Sequence, residues 1–283
     1  MEANRKNVLT GLSVFALILS AVFFGLYTYE VNNAPVIDTQ QPPTTTGGGI
    51  DNNLLMDYVN SLPKQDLSQD EIDAILYMRE EEKLARDVYL SMYDLYGSII
   101  FSNIANSEQT HMDAVKLLID KYNLTDPVGN DTRGVFQNQD LQQLYNVLIA
   151  NGSKSLTDAL TVGGIIEEVD IIDLDNWKTK VDNEDILYVF DLLISGSENH
   201  LRAFTNQLKN LGVTYEPHYL TQEQYDEIIS STMNRGSQYT MSSTTTTSYQ
   251  TASNYLIVGI IFAILGIIGL VIARTTEETI LKQ

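Results

Sequence analysis

The run Phe101-Ser-Asn-Ile-Ala-Asn-Ser-Glu-Gln-Thr-His-Met-Asp-Ala-Val-Lys-Leu-Leu-Ile-Asp-Lys-Tyr122 places Phe101, Ile104, Ala105, Met112, Val115, Leu118 and Ile119 at three- and four-residue intervals. That is the period of a helix burying one stripe. Glu108 and His111 sit on the same stripe, three residues apart and so stacked a turn above one another. An ionised carboxylate among apolar side chains costs several kcal/mol unless it gains a cation, a proton or strong donors. A bound metal would meet that need. So would a hydrogen-bonded core histidine, with Glu108 paired to Arg79, Arg86 or a tyrosine hydroxyl.

A Glu-x-x-His pair on an inward helical face is a recurring half-site of di-iron and di-manganese four-helix bundles, whose other ligands come from the remaining helices. In Glu184–Leu211 the stripe Ile186, Val189, Phe190, Leu193, Ser197, His200, Phe204, Leu208 and Leu211 turns His200 inward as well. Ile75, Glu82 and Tyr89 are spaced by sevens, as are Leu160, Glu167 and Leu174, which puts Glu82 and Glu167 in buried register; Asp170 lies one turn beyond Glu167. Glu168 stands next to Glu167 and competes for the same face. In the charged run Arg79 to Lys83, Glu80, Glu81 and Lys83 are expected on a solvated face.

Composition narrows the chemistry. The chain has 283 residues, enough for one or two domains, with 17 Lys+Arg against 37 Asp+Glu and a net charge of −20. Such a surface repels phosphate, so no nucleic-acid partner is expected. There is no cysteine, which removes disulfides, thiolate zinc sites and iron–sulfur clusters. Only three histidines are present, and any metal must be held by oxygen and nitrogen.

Along the chain, residues 8–27 and 255–273 are apolar runs of about the length that crosses a bilayer, each with basic residues at its outer end. The first reads as a signal peptide or as an uncleaved anchor, and no Ala-x-Ala-like cleavage site follows it. With both segments spanning, residues 1–7 and 274–283 are cytoplasmic and the middle lies outside the cell. Residues 28–66 and the Ser/Thr-rich stretch 235–254 read as flexible tethers. Between them the pattern is helical. Ser68 and Glu71 form a capping box opening a helix that runs to Tyr96 and stops at Gly97. Ser98, Ser155 and Asn183 are candidate caps for three more long helices, and Gln137–Ala150 reads as a shorter inserted helix. Residues 67–220 are thus expected to form an antiparallel four-helix bundle, followed by a short helix within 221–234. Gly163, Gly164 and Gly196 fall inside helices, marking either close approach beside a site or helix breaks.

The run Glu82-Lys-Leu-Ala-Arg86 followed by Glu108-Gln-Thr-His111 resembles the first two helices of rubrerythrin-type ferritin-like proteins. Glu80 to Tyr89, Ser107 to Met112, Ile166-Glu-Glu and Gly196 to Phe204 resemble, more closely, an uncharacterised archaeal and bacterial ferritin-like domain of unknown function, over about residues 67–219. The resemblance implies Glu82, Glu108 with His111, Glu167 and His200 as ligands of iron or manganese, with Glu108 bridging, Glu82 and Glu167 terminal, and one histidine on each ion. It departs in the last long helix, where the usual carboxylate three residues before the histidine is Ser197. Glu198 lies about 200° around the helix from His200 and is no substitute; Asp170 is, since rubrerythrins carry a second carboxylate one turn along the third helix. Without it the site would hold a single ion or none. The resemblance further implies oxidase or peroxidase chemistry on dioxygen or peroxide, with Tyr89 orienting a ligand or relaying an electron, or simply packed. The alternative is a non-catalytic cell-envelope module with a degenerate metal site, in contact with envelope proteins or glycans. Either form is compatible with a homodimer.

Overall fold

Ser68 opens the first long helix as its capping box requires: its hydroxyl accepts the Glu71 N–H, and the Glu71 carboxylate accepts the Ser68 N–H at 2.8 Å. A computed structural model of the protein describes residues 52–231. The expected spans 8–27 and 255–273, the ends 1–7 and 274–283 and the tether 235–254 lie outside the described residues. Among these the elements are α1 (Asn52–Ser61), α2 (Gln69–Tyr96), α3 (Ile99–Tyr122), α4 (Gln139–Gly152), α5 (Leu156–Lys178), α6 (Glu184–Asn210) and α7 (Gln222–Ser230), with no strand. No described helix is long and apolar enough to cross a membrane. Gly97 and Gly212 follow the ends of α2 and α6 with φ of 63° and 77°, a left-handed turn that costs a glycine nothing. Ser98 and Asn183 occupy their N-cap positions without making the side-chain cap bond.

The four long helices pack as a bundle in which every neighbouring pair is antiparallel. Arg79 reaches the Met112 carbonyl and Arg86 reaches Gln109, so α2 and α3 run oppositely. Tyr77 meets Asp173 and Tyr89 meets Glu167 between α2 and α5. Tyr122 meets Asp185 and Ser107 meets His200 between α3 and α6, and Lys178 and Ser197 reach Asp191 and Asp170 between α5 and α6. It follows that α3 and α5 point the same way, and the chain must return the length of the bundle between them. Residues 123–155 make that crossover, with α4 lying against α2 and α5.

One expectation fails at the start of the domain. Residues 52–61, expected within the tether, form α1, with Leu55 and Val59 fully buried against α3. Lys121 closes its C-terminus by donating to the carbonyls of Val59 and Leu62 at 2.7 and 3.0 Å.

The apolar core is in two parts. One gathers Val88, Met92, Phe101, Leu141, Phe204 and Leu208; the other gathers Ile75, Met78, Val115, Leu118, Val189 and Leu193. Between them lies a polar layer at the level of Glu82, Glu108 and His200. Helices α5 and α6 run unbroken through their glycines, each of which admits a ring: a Cβ on Gly163 would stand 2.6 Å from the Phe204 ring, and one on Gly164 2.7 Å from the Tyr215 ring. The glycines thus serve close approach, at about 1 kcal/mol each in helix propensity.

Candidate metal centre

Each long helix of the bundle sends side chains into the polar layer: Glu82 from α2, Glu108 and His111 from α3, Glu167 and Asp170 from α5, Ser197 and His200 from α6. The Glu108 carboxylate lies between two imidazoles, with Oε2 at 2.8 Å from Nδ1 of His111 and Oε1 at 2.8 Å from Nδ1 of His200. Glu82 Oε2 approaches His111 Nδ1 at 3.2 Å, and Glu167 Oε2 approaches His200 Nδ1 at 3.4 Å. The two rings stack with centroids 5.3 Å apart. Glu108, His111 and His200 offer ligand atoms all within 4.8 Å of one another. His200 is further fixed by Ser107, whose hydroxyl is 2.9 Å from Nε2, which leaves Nδ1 as the nitrogen turned to Glu108 and Glu167. The Tyr89 hydroxyl donates to Glu167 Oε1 at 2.5 Å, and its ring packs against Phe101 and Phe204. Ser197 donates to Asp170 Oδ2 and so ties the residue lacking a carboxylate to the carboxylate one helix away.

Gly196 makes room for this arrangement. A Cβ there would stand 2.3 Å from Nε2 and 2.4 Å from Cε1 of His111, so the imidazole edge rests against the α6 backbone. The arginines offered as alternative partners for Glu108 are engaged elsewhere, Arg79 with Asp126 and Arg86 with Asp87 and Asp131.

Burial sets the electrostatics of the layer, because it penalises charge. It pushes Glu82 up to about 7 against the pull of His111, and Glu167 up to about 7, where the Glu108 charge adds to it. Burial and then the Glu82 charge hold Asp170 well above the usual carboxylate range. For Glu108 burial is outweighed by His200 and His111, and its carboxyl falls well below that range. Burial works against charge on both imidazoles, but Glu108 together with Glu82 at His111, and together with Glu167 at His200, outweighs it, raising His111 well above its ordinary value and His200 to about 10.

The donor set fits a pair of divalent ions. Four carboxylates and two neutral imidazoles carry four negative charges, which two such ions balance. Glu82 Oε1 and Asp170 Oδ1 are buried and accept no hydrogen bond, and unsatisfied buried groups are what a ligand cluster leaves before it is filled.

The charged run on α2 departs from its expectation. Glu80, Glu81 and Lys83 are 4%, 4% and 0% exposed rather than solvated, because the crossover segment and α5 cover that face. Glu80 accepts the N–H groups of Gln137 and Asn138. Lys83 donates to Asp87 and to the Thr132 carbonyl, with its ammonium 4.4 Å above the Phe136 ring. Glu81 joins Tyr77 and Asp173 at the α2–α5 interface, a group the sequence reading missed. Glu168 turns away from the layer; it accepts the Tyr215 hydroxyl at 2.6 Å and the N–H groups of His218, Tyr219 and Leu220 at 3.0, 2.7 and 2.8 Å.

Bundle and layer together define an all-helical protein with a buried Glu/His cluster able to hold metal. Residues 71–232 match the family described as uncharacterized protein domain (DUF2202), and the chain belongs to that family. It is 54% identical over 182 residues to the uncharacterized protein MJ0754 of Methanocaldococcus jannaschii, which covers 64% of this chain and 98% of that protein. The crystal structure of the hypothetical protein MJ0754 from Methanococcus jannaschii DSM 2661 superposes with a TM-score of 0.60 at 55% identity, over 61% of this chain and 98% of that one.

Proposed function

We propose that the domain is a ferritin-like carboxylate protein whose polar layer binds two iron or manganese ions and supports oxidase or peroxidase chemistry on dioxygen or peroxide. The observation that carries this reading is the Glu108 carboxylate held between Nδ1 of His111 and Nδ1 of His200, one oxygen to each. The single long crossover between α3 and α5 adds to it, since one such connection is the ferritin-like variant of the four-helix bundle. Glu82 with His111 would hold one ion and Glu167 with His200 the other, Glu108 being shared. Asp170, fixed by Ser197, would stand in for the carboxylate that α6 lacks. Oxygen donors with some imidazole suit iron and manganese, which supply the redox chemistry when bound. Ser107 fixes the His200 ring and Tyr89 orients Glu167. The flanking apolar clusters exclude bulk water from the layer.

Metal analysis of the full chain, purified without chelator, tests the reading. Two equivalents of iron or manganese are expected, lost together in the Glu108→Ala/His200→Ala double variant. A helical, stable, metal-free product would overturn it and favour a non-catalytic envelope module; the mutual His–Glu contacts, which satisfy part of the layer internally, are the feature in favour of that second reading. The apolar runs 8–27 and 255–273 support a membrane-tethered domain facing outward. Protease added to intact cells should then cut within residues 28–51 or 235–254, and complete protection would refute that placement.

A further inference from the structure

Two buried carboxylates, Glu81 and Asp173, have no part in the ligand set proposed above. Asp170 and Asp173 lie a turn apart on α5 and face Glu81 on α2. Glu81 and Asp173 meet within hydrogen-bonding reach. The Tyr77 hydroxyl donates to Asp173 Oδ2 at 2.9 Å and comes within 3.4 Å of Glu81 Oε1. Asp173 is the most exposed of the file at 9%, Glu81 and Asp170 are 4% and 5% exposed, and Glu82 is 1% exposed. Glu81 Oε2 and Asp170 Oδ1 are buried without a hydrogen-bond partner. Both residues line one cavity of about 20 Å³, walled otherwise by apolar side chains such as Leu84, Leu148 and Ile166, which is room for about one water.

The strongest charges acting on Glu81 are acidic, namely Asp173, Asp170 and Glu82. The basic side chains beside it on α2 turn away, Arg79 to Asp126 and Lys83 to Asp87. Structural carboxylates in this protein look different: Glu80 and Glu168 are saturated with backbone N–H donors. Glu81 and Asp170 instead each keep one buried oxygen without a partner, and both residues border the same water-sized space.

We propose that Asp173, Glu81 and Asp170 form the entry path by which a divalent cation passes from the α2–α5 groove at Tyr77 and Trp177 to Glu82. The proposal rests on the metal-binding reading. Oxygen-only positions hold such ions loosely and let them exchange hydration waters stepwise, whereas imidazole at the end of the path favours retention of transition metals.

The test is the rate of manganese uptake by the metal-free full chain, followed as loss of the free Mn(II) electron paramagnetic resonance signal. Glu81→Gln/Asp173→Asn, which keeps shape and removes charge, should load at least tenfold more slowly and reach the same final stoichiometry. Asp120→Asn/Glu223→Gln, removing two exposed charges far from the path, should load at the normal rate. Unchanged loading in the first variant would overturn the path, as would a reduced final stoichiometry, which would make the two residues ligands. Should the double variant fail to fold, Asp173→Asn alone, at the rim, is expected to slow uptake, and normal uptake would again overturn the path. A wild-type chain that takes up no manganese would refute the metal-binding reading itself, an outcome distinct from normal loading of the variants.

Discussion

An alanine methyl at position 196 would overlap the His111 ring edge, at 2.3 Å from Nε2, and the ring has only the Glu82 and Glu108 side into which to retreat. Gly196→Ala gains about 1 kcal/mol of helix propensity and loses about 1–3 kcal/mol to overpacking, so the fold should survive while the imidazole leaves its place. The expected outcome is loss of about one of two metal equivalents with a melting temperature changed by only a few degrees; a full complement would show that His111 is not a ligand. The glycine was visible in the sequence, but its role was not, because the ring it receives comes from another helix. Glu108, His111 and His200 were legible for the opposite reason: each interrupts an apolar stripe, and the stripe alone fixes the face. Glu81 and Lys83 were not, since a charged run reads as solvated until the covering segment is known. One signal was available for Asp173. Glu167, Asp170 and Asp173 recur every three residues on α5, an acidic stripe continuing past the position assigned as a ligand.

Glu168 acts on a whole element. Its carboxylate is the common acceptor for the Tyr215 hydroxyl and three consecutive backbone N–H groups, and so holds the segment between α6 and α7 against α5. Truncation strands those donors, and each unsatisfied buried group costs about 1–3 kcal/mol. Glu168→Ala should therefore lose roughly 3 kcal/mol or more, with amide exchange rising first in residues 213–231; uniform loss of protection across the bundle would contradict a local clamp. The crossover has its own latch. Asp131 is held below the usual carboxylate range by hydrogen bonds from Arg86, and Asp126, despite burial, by those from Arg79. A depressed folded pKa stabilises fully above the free value, about 3.9 for aspartate, and that contribution is lost as pH falls below it. Residues 124–138 should thus become protease-sensitive below about pH 4 while helical circular dichroism persists. Simultaneous loss of both would show that the latch is not separable. At this scale the sequence was most readable at the capping boxes and glycine stops, whose signals are local. Helix α1 borrows its stability from α3 and Lys121, so its register could not be read from its own residues. That α3 and α5 run the same way was likewise hidden, since an inserted helix says nothing about where the next one begins.

For the whole molecule, the decisive feature is a hydrophobic core cut in two by a layer of excess acid. Two imidazolium ions would offset only part of four carboxylates, so without metal the layer is stable only by taking up further protons, and burial charges the difference to the fold. An ion held by the native state alone adds about 4.1 kcal/mol at a thousandfold excess over Kd, and a domain of this size gains roughly 2–4 °C per kcal/mol. Chelation should then lower the melting temperature by about 10 °C or more, and Glu108→Ala should abolish that dependence. Asp170 separates a metal centre from a structural polar network. Its Oδ1 has no partner and its charged neighbours Glu82, Glu167 and Glu108 are acidic, so Asp170→Asn removes repulsion and keeps an acceptor for Ser197. The variant should melt above wild type when both are metal-free and below it when both are saturated with manganese. A residue that only completes a hydrogen-bond network would shift both forms downward, and that result would remove Asp170 from the ligand set.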